Sequence, residues 1–139
     1  NLEMKHGLHN FSCYKKFSNK VKESKKNLIK ILKGLKKDKK RIIGYGASAK
    51  AVTILNYCNL KENYFDYFYD TTKQKIGKFL PGTKIKVIKY KKLIDKKVYV
   101  FLGAWNFNKE ILKKEKFFFN NYGNFITHVP YPRIIRKNN

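Results

Sequence analysis

The stretch RIIGYGASAK, residues 41–50, decides the fold, because a short apolar run passes into two closely spaced glycines and then into a helical pattern. Residues 41–46 predict a strand. Residues 48–58 predict a helix, since their apolar side chains recur at helical spacing on one face. A strand that passes through a glycine turn into a helix is the first half of a βαβ unit, which predicts a parallel α/β sheet.

Further apolar runs continue this alternation of strands and helices. Strands are predicted at residues 64–70, 85–88, 97–103 and 124–130, and helices at residues 18–35 and 108–121. The run at 97–103 is almost continuously apolar, as expected for a central strand that is buried on both faces. We therefore predict an α/β fold, a Rossmann-like doubly wound, mostly parallel sheet of about five strands with a preceding N-terminal helix.

Length and composition indicate a folded, soluble chain. Its 139 residues fit one domain, and its hydrophobic fraction of 42% excludes a disordered tail. We predict an irregular leading segment at 1–17 and a single domain at 18–139. The chain begins at Asn1 without an initiator methionine, from which we expect a piece of a longer protein. Cys13 and Cys58 form no CxxC pair, which fits a reduced, cytoplasmic location. The apolar runs are shorter than a membrane span, so we expect no membrane contact.

The charge is strongly positive, with 33 Lys and Arg against nine Asp and Glu, a net charge of +24. Such an excess is typical of proteins that bind nucleic acid or another polyanion. However, nearly all the cations are lysines, and arginine occurs only at Arg41, Arg133 and Arg136. Base recognition and bidentate phosphate contacts favour arginine. We attribute most of the charge to genome composition and keep a basic polyanion-binding or nucleic-acid-binding module as an alternative.

Distinctive residues follow several of the predicted strands at their carboxyl ends, where open α/β sheets bind ligands. The glycine turn has the GxGxxA form of a dinucleotide fingerprint, which favours a phosphate at the helix N-terminus. Lys50 could add a positive charge, and Asp70 could accept a hydrogen bond from a ribose hydroxyl. Trp105 is predicted to pack at its strand end, and Asn106 could donate to a ligand. An NAD(P)-type Rossmann domain is therefore a second alternative.

The sequence contains no recognisable catalytic or metal-binding set. His6 and His9 lie in the leading segment without further metal ligands nearby, so a zinc site there is not expected. His128 follows a predicted strand and is expected to pack rather than to catalyse. Neither a Ser/His/Asp arrangement nor a pair of carboxylates is visible, so we predict neither a catalytic residue nor a metal site.

Four blocks of the chain resemble the C-terminal domain of S-adenosylmethionine-dependent sugar C-methyltransferases. The blocks are GYGASAKAVTILNYCNL, YFYDTTKQKIGKFLPGTKIKV, FLGAWNFNKEI and GNFITHVPYP, in that order. The resemblance covers residues 10–132. It implies three-part enzymes with an N-terminal zinc-binding domain, a middle domain that binds S-adenosylmethionine, and a C-terminal Rossmann-like domain. These enzymes methylate a carbon of a nucleotide-linked deoxysugar, often a dTDP-keto sugar.

The resemblance also implies site residues, all on the nucleotide-sugar side of the reaction. The turn and Lys50 would face the pyrophosphate or the sugar, and Asn106 and the 78–82 loop would flank the same crevice. The implied substrate-binding residues are Gly44, Tyr45, Gly46, Ala47, Ser48, Ala49, Lys50, Asp70, Lys78, Pro81, Gly82, Trp105 and Asn106. S-adenosylmethionine and structural zinc would be bound by other domains, so we expect the isolated chain to be inactive.

Two departures from the family pattern concern the acceptor side. The family has Gly and Asn where this chain has Ala51 and Val52, and a basic residue and Pro where it has Thr71 and Thr72. No segment matches the zinc cysteines or the S-adenosylmethionine fingerprint. The donor domain is therefore expected upstream and removed by truncation, which we favour, or on a separate polypeptide. The remaining alternative is a stand-alone remnant.

Overall fold

A computed structural model describes residues 10–136 as an α/β fold with a long first helix. The chain runs through α1 (Phe11–Lys37), β1 (Arg41–Tyr45), α2 (Ala49–Tyr57), β2 (Phe68–Asp70), β3 (Val87–Lys89) and β4 (Val98–Leu102). A 3-10 turn (Trp105–Phe107) precedes α3 (Asn108–Lys114), α4 (Lys116–Asn121), β5 (Phe125–Thr127) and β6 (Arg133–Ile135). No helix within this described part is long and apolar enough to cross a bilayer.

The strands form one mixed sheet in the order β3-β2-β1-β4-β5-β6. Neighbours from β3 to β5 are parallel, and β6 pairs with β5 in the antiparallel direction. The prediction of a mostly parallel sheet behind an N-terminal helix is confirmed. The chain moves outward from β1 to β3 and then returns to place β4 on the other side of β1. The strand order therefore reverses between β1 and β4, which is where open α/β sheets form a ligand crevice.

The core lies on both faces of this sheet, because successive residues of a strand point to opposite sides. On β1, Ile42 packs with buried leucines of α1 and α2, whereas Ile43 packs with the cluster around Ile111 and Phe118. All four of these side chains are at most 7% exposed. Burial on both faces explains the continuous apolar run of β4 and fixes the strand ends that carry the candidate site.

The first helix begins earlier than predicted, at Phe11 rather than near Ser18. The side chain of Asn10 accepts a hydrogen bond from the amide of Ser12 at 3.0 Å and caps the helix. The helix thus crosses the predicted boundary between the leading segment and the domain. Residues 1–9, including His6 and His9, lie outside the described residues.

Two further differences concern the second half of the chain. The predicted helix at 108–121 is two helices that separate at Glu115, whose buried carboxylate takes part in the site described below. The edge strand β6 was not predicted, because its three residues are only half-buried and too few to show a period. Neither difference alters the order of the parallel strands.

Candidate functional site

The turn between β1 and α2 depends on glycines that let three strand ends approach closely. Gly46 has a φ of 86°, and a Cβ atom there would lie 2.6 Å from the Cβ of Ala104. A Cβ on Gly103 would collide with the carbonyl oxygen of Gly46, and one on Gly44 would collide with the ring of Phe68. The fingerprint spacing therefore has a structural cause in the packing of β1 against β2 and β4.

Asp70, at the end of β2, holds this turn through both oxygens of its carboxylate. Oδ2 accepts from the amide of Ala47 at 2.8 Å, and Oδ1 accepts from the amide of Thr72 at 2.8 Å. The Nζ of Lys75 lies 3.5 Å from Oδ2 and donates to the carbonyl oxygen of Ala47 at 2.9 Å. Burial of the carboxyl raises its pKa, but these hydrogen bonds and the Lys75 charge outweigh burial and keep the pKa below its ordinary value. The ribose contact of Asp70 stays a prediction.

Ser48 joins the start of α2 to the end of β4. Its Oγ accepts from the amide of Ala51 at 3.1 Å, as an N-cap does, and donates to the carbonyl oxygen of Gly103 at 3.0 Å. The amides of Ala49 and Lys50 follow in the first turn, where a helix offers no acceptor to its own N–H groups. This end of α2 therefore favours a negatively charged group.

A cavity of about 350 Å³ lies at the carboxyl ends of the strands beside the reversal point. We name it the switch-point cavity. Its lining comprises Tyr45, Gly46, Ser48, Tyr69, Asp70, Thr71, Tyr90, Ala104, Phe107, Glu110, Ile111 and Lys114. Four aromatic rings, two acidic groups and one lysine are among these residues, so the cavity suits a planar or sugar-like ligand that carries hydroxyl groups.

A buried carboxylate under this cavity was not predicted from the sequence. Glu115 is 3% exposed, and its Oε1 accepts from the hydroxyl of Tyr45 at 3.1 Å and from that of Tyr90. Burial raises the pKa of Tyr90 to about 12 and raises the pKa of Tyr45 further, so both phenols keep their protons. The Nζ of Lys114 lies 3.8 Å from the centre of the Tyr90 ring. Glu115 lies at the point where the two helices separate, which no periodicity indicated.

A second cavity, of about 500 Å³, lies on the other side of the turn, between α2 and the 78–82 loop. We name it the loop cavity. Its lining comprises Ala47, Ser48, Ala49, Val52, Gln74, Lys75, Lys78, Phe79, Leu80, Pro81 and Val87. The side chain of Asn56 donates to the carbonyl oxygen of Pro81 at 2.9 Å, and Lys61 donates to that of Gly82. These contacts fasten the loop to the end of α2.

A third space, of about 370 Å³, runs between α1, α2 and the end of β4. We name it the α1–α2 groove. Its lining comprises Val21, Lys50, Thr53, Ile54, Tyr57, Trp105 and His128. The Nζ of Lys50 lies 5.2 Å from the centre of the Trp105 ring. The ring of His128 is stacked on that of Phe101, with centres 5.3 Å apart, and burial lowers the pKa of His128 to about 4.

The structure thus divides residues that the sequence assigned to one crevice. Tyr45, Gly46 and Asp70 line the switch-point cavity, Lys78 and Pro81 line the loop cavity, and Ser48 lines both. Lys50 and Trp105 line the α1–α2 groove. Gly44 is buried against Phe68, and Asn106 is exposed outside all three linings. Within residues 10–136, no three His, Cys, Asp or Glu side chains are grouped so as to hold a metal ion.

Comparison with known proteins gives one family. The sequence model of the C-methyltransferase C-terminal domain matches residues 1–130. The C-methyltransferase NovU of Streptomyces niveus is 32% identical over 134 residues, which are 96% of this chain. The same alignment covers 32% of NovU, so the chain spans only part of the length of that relative.

Proposed function

The chain belongs to the C-methyltransferase C-terminal domain family, and on this basis we propose that it is the substrate-side domain of an S-adenosylmethionine-dependent C-methyltransferase. The substrate class is a nucleotide-linked keto deoxysugar, as in a dTDP-sugar, made in the cytoplasm for deoxysugar or surface-polysaccharide synthesis. We assign residues 18–139 to this domain, together with the first turns of α1, which belong to the same continuous helix. S-adenosylmethionine and a structural zinc belong to further domains, in the same chain or in a partner chain.

The observation that carries the proposal is the convergence of the switch-point cavity on the N-terminus of α2. The cavity supplies aromatic walls for a base or a sugar, and Ser48, the N-cap of α2, lines it. A diphosphate beside Ser48 meets the positive end of the helix dipole. Lys50, in the same first turn, adds a full positive charge on the neighbouring side that faces the α1–α2 groove. A nucleoside diphosphate sugar combines these two chemistries in one ligand.

The proposed reaction replaces a C–H bond beside the sugar keto group with a C–CH₃ bond. A base removes the proton, and the enolate attacks the methyl carbon, whose bonding pair to sulfur leaves with the thioether. S-adenosylmethionine supplies the methyl group as a sulfonium. We assign the base to the rest of the enzyme, because Tyr45 and Tyr90 hold their protons too tightly and Asp70 is engaged by the turn. This chain then binds and orients the sugar nucleotide.

Calorimetric titration with dTDP at physiological salt tests the proposal. We expect saturable binding, weakened about 10- to 100-fold by Lys50→Ala, as for the loss of one charge-assisted contact. Lys33→Ala removes the same charge from an exposed position on α1 and is the matched control. Binding that Lys33→Ala weakens equally, or that falls steeply with salt, would indicate a general polyanion interaction instead. The absence of saturable binding would contradict a nucleotide site in this domain.

Methyl transfer by the isolated chain is the second test. Because the base and the methyl donor are assigned elsewhere, we expect no methylated product from the chain with S-adenosylmethionine and dTDP-linked keto sugars. Product formation, followed by mass spectrometry, would refute the assignment of the base and of the methyl donor to other domains.

A further inference from the structure

We propose that the switch-point cavity binds the nucleobase of the ligand, which stacks on the ring of Phe107, and that the sugar stays outside it. The inference rests on the proposed function, since it takes a sugar nucleotide as the ligand, and it decides which end of that ligand enters the cavity. A volume of about 350 Å³ lies at the low end of the range of roughly 300–1,000 Å³ that is typical of ligand pockets. The cavity therefore suits one part of a nucleotide sugar better than all of it.

The tyrosines of the cavity present ring surface to a ligand rather than hydroxyl groups. The hydroxyls of Tyr45 and Tyr90 both donate to Oε1 of the buried Glu115. The hydroxyl of Tyr69 lies 3.4 Å from that of Tyr67. The rings of Tyr45 and Tyr69 each meet the Tyr90 ring edge to face, with centres 5.6 and 5.9 Å away. These contacts use the hydroxyls within the protein and hold the three rings in place as an apolar wall.

Two further polar residues of the lining are engaged by the glycine turn. Both carboxylate oxygens of Asp70 accept backbone N–H groups, and Oγ of Ser48 both accepts from and donates to the backbone. A sugar needs a partner for each of several hydroxyl groups, because a buried polar group without a hydrogen bond is costly. A nucleobase buries two flat faces and carries its polar groups at its edge, so it suits this lining better than a sugar does.

Phe107 supplies a ring that the fold itself leaves largely uncovered. It lines the cavity, yet its side chain is 54% exposed. Its backbone is fixed, because its amide donates to the carbonyl oxygen of Ala104 at 2.9 Å in the 3-10 turn that follows β4. Single exposed aromatic side chains are common on protein surfaces, but one that lines a cavity can stack on a base. A base that covers Phe107 removes apolar surface from water on binding.

Two charged side chains of α3 are available to the polar edge of the base. Glu110 and Lys114 both line the cavity, and a spacing of four residues places them on the same face of the helix. In the described structure neither takes part in an ion pair, and the Nζ of Lys114 lies over the ring of Tyr90. Their carboxylate and ammonium groups supply an acceptor and a donor, so the N–H and carbonyl groups of a base edge find partners there.

Calorimetric titration with dTDP at physiological salt compares the wild-type chain with three variants. Phe107→Ala removes the stacking ring and should weaken binding about 5- to 100-fold, as for the loss of one base stacked on an aromatic side chain. Phe107→Tyr keeps a ring and should keep most of the affinity. Phe117→Ala is the matched control, because Phe117 is 56% exposed on α4 and lines none of the three spaces. Binding by Phe107→Ala that is as tight as binding by Phe117→Ala would overturn the role of Phe107.

Proton NMR of dTDP-glucose identifies the end of the ligand that enters the cavity. Protons that lie over an aromatic ring are shifted upfield by its ring current. We expect binding to shift the ring and methyl protons of thymine upfield, more than the glucose protons, and Phe107→Ala to reduce these shifts. Larger shifts of the glucose protons would place the sugar in the cavity and overturn this inference, while the proposed function would stand. No saturable binding of dTDP-glucose would overturn the proposed function together with it.

Discussion

Replacing Asp70 with asparagine tests whether this carboxylate assembles the turn that forms the site. The substitution preserves the shape of the side chain and removes its charge. Asp70 accepts two backbone hydrogen bonds of 2.8 Å and lies 3.5 Å from the Nζ of Lys75, while its side chain is 9% exposed. In the Asp70→Asn variant only one oxygen remains, and the amide NH₂ group must face either the N–H of Ala47 or the N–H of Thr72, both of which are donors.

The size of the effect follows from these contacts. A hydrogen bond to a charged group contributes about 1.5–3 kcal/mol, and a buried donor left without an acceptor adds to the loss. Since the variant retains one of the two backbone bonds, we expect Asp70→Asn to lower the free energy of unfolding by about 2–3 kcal/mol. With an m-value on the order of 2 kcal/mol per molar urea, the unfolding midpoint falls by roughly 1–1.5 M.

The assay is urea unfolding, with Asp66→Asn as the control. Asp66 pairs with Arg41 at 2.8 Å, but both side chains are substantially exposed. Asp66→Asn should therefore lower the free energy of unfolding by less than about 1 kcal/mol. The folded-state pKa of Asp70 lies below the ordinary value of 3.8, so its contribution is complete above pH 4 and is lost as the pH falls through the folded value. The difference in the free energy of unfolding between wild type and Asp70→Asn should therefore become smaller toward pH 3. Equal effects of the two variants at pH 7 would refute the assignment.

Two further substitutions test the packing of the turn and the buried carboxylate. Gly46→Ala combines a positive φ with a collision against the Cβ of Ala104, and should cost about 2–4 kcal/mol of stability in urea unfolding. Gly77→Ala has a similar φ of 85° with nothing within 4 Å in the described structure, so it measures the backbone strain without the collision. A cost above about 2 kcal/mol at Gly77 would contradict the assignment of part of the Gly46 cost to the collision. Tyr90→Phe removes one of two phenol donors to Glu115 and should lower the free energy of unfolding by about 1.5–3 kcal/mol. Unchanged stability would show that this hydrogen bond does not stabilise the buried carboxylate.

The sequence was sufficient for the sheet because its strongest signals are local. The glycine turn after β1 and the apolar run of β4 define two central parallel strands, and the other parallel strands follow from alternation, whereas the antiparallel edge strand β6 does not. Helix ends were harder to predict. The sequence predicted an irregular segment at 1–17, yet α1 begins at Phe11, and the side chains of its first turns, Phe11, Tyr14 and Phe17, are exposed and take no part in the core. The role of Glu115 was missed because the two tyrosine hydroxyls that it accepts from are distant in sequence, in β1 and just after β3.

The site was predicted less completely, because proximity in sequence does not fix the direction of a side chain. Ala49 and Lys50 are neighbours at the start of α2, yet they line different spaces. For Asp70 the sequence predicted a ligand contact, which stays a prediction, and gave no sign that its oxygens accept from the backbone of the turn. The second of these bonds needs the amide of Thr72, at a position where the family resemblance leads to a proline, which has no N–H to donate.

The strong positive charge of the chain makes it necessary to separate cations used by the fold from cations available to a ligand. Lys75 belongs to the first class, because it bonds the carbonyl oxygen of Ala47 and pairs with Asp70, so its removal would loosen the turn as well as remove a charge. Lys50 belongs to the second class, since its contact in the described structure is the face of Trp105, a weak interaction at an exposed position. Lys50→Ala should therefore change ligand affinity while leaving unfolding nearly unchanged, and only that combination assigns the charge to binding.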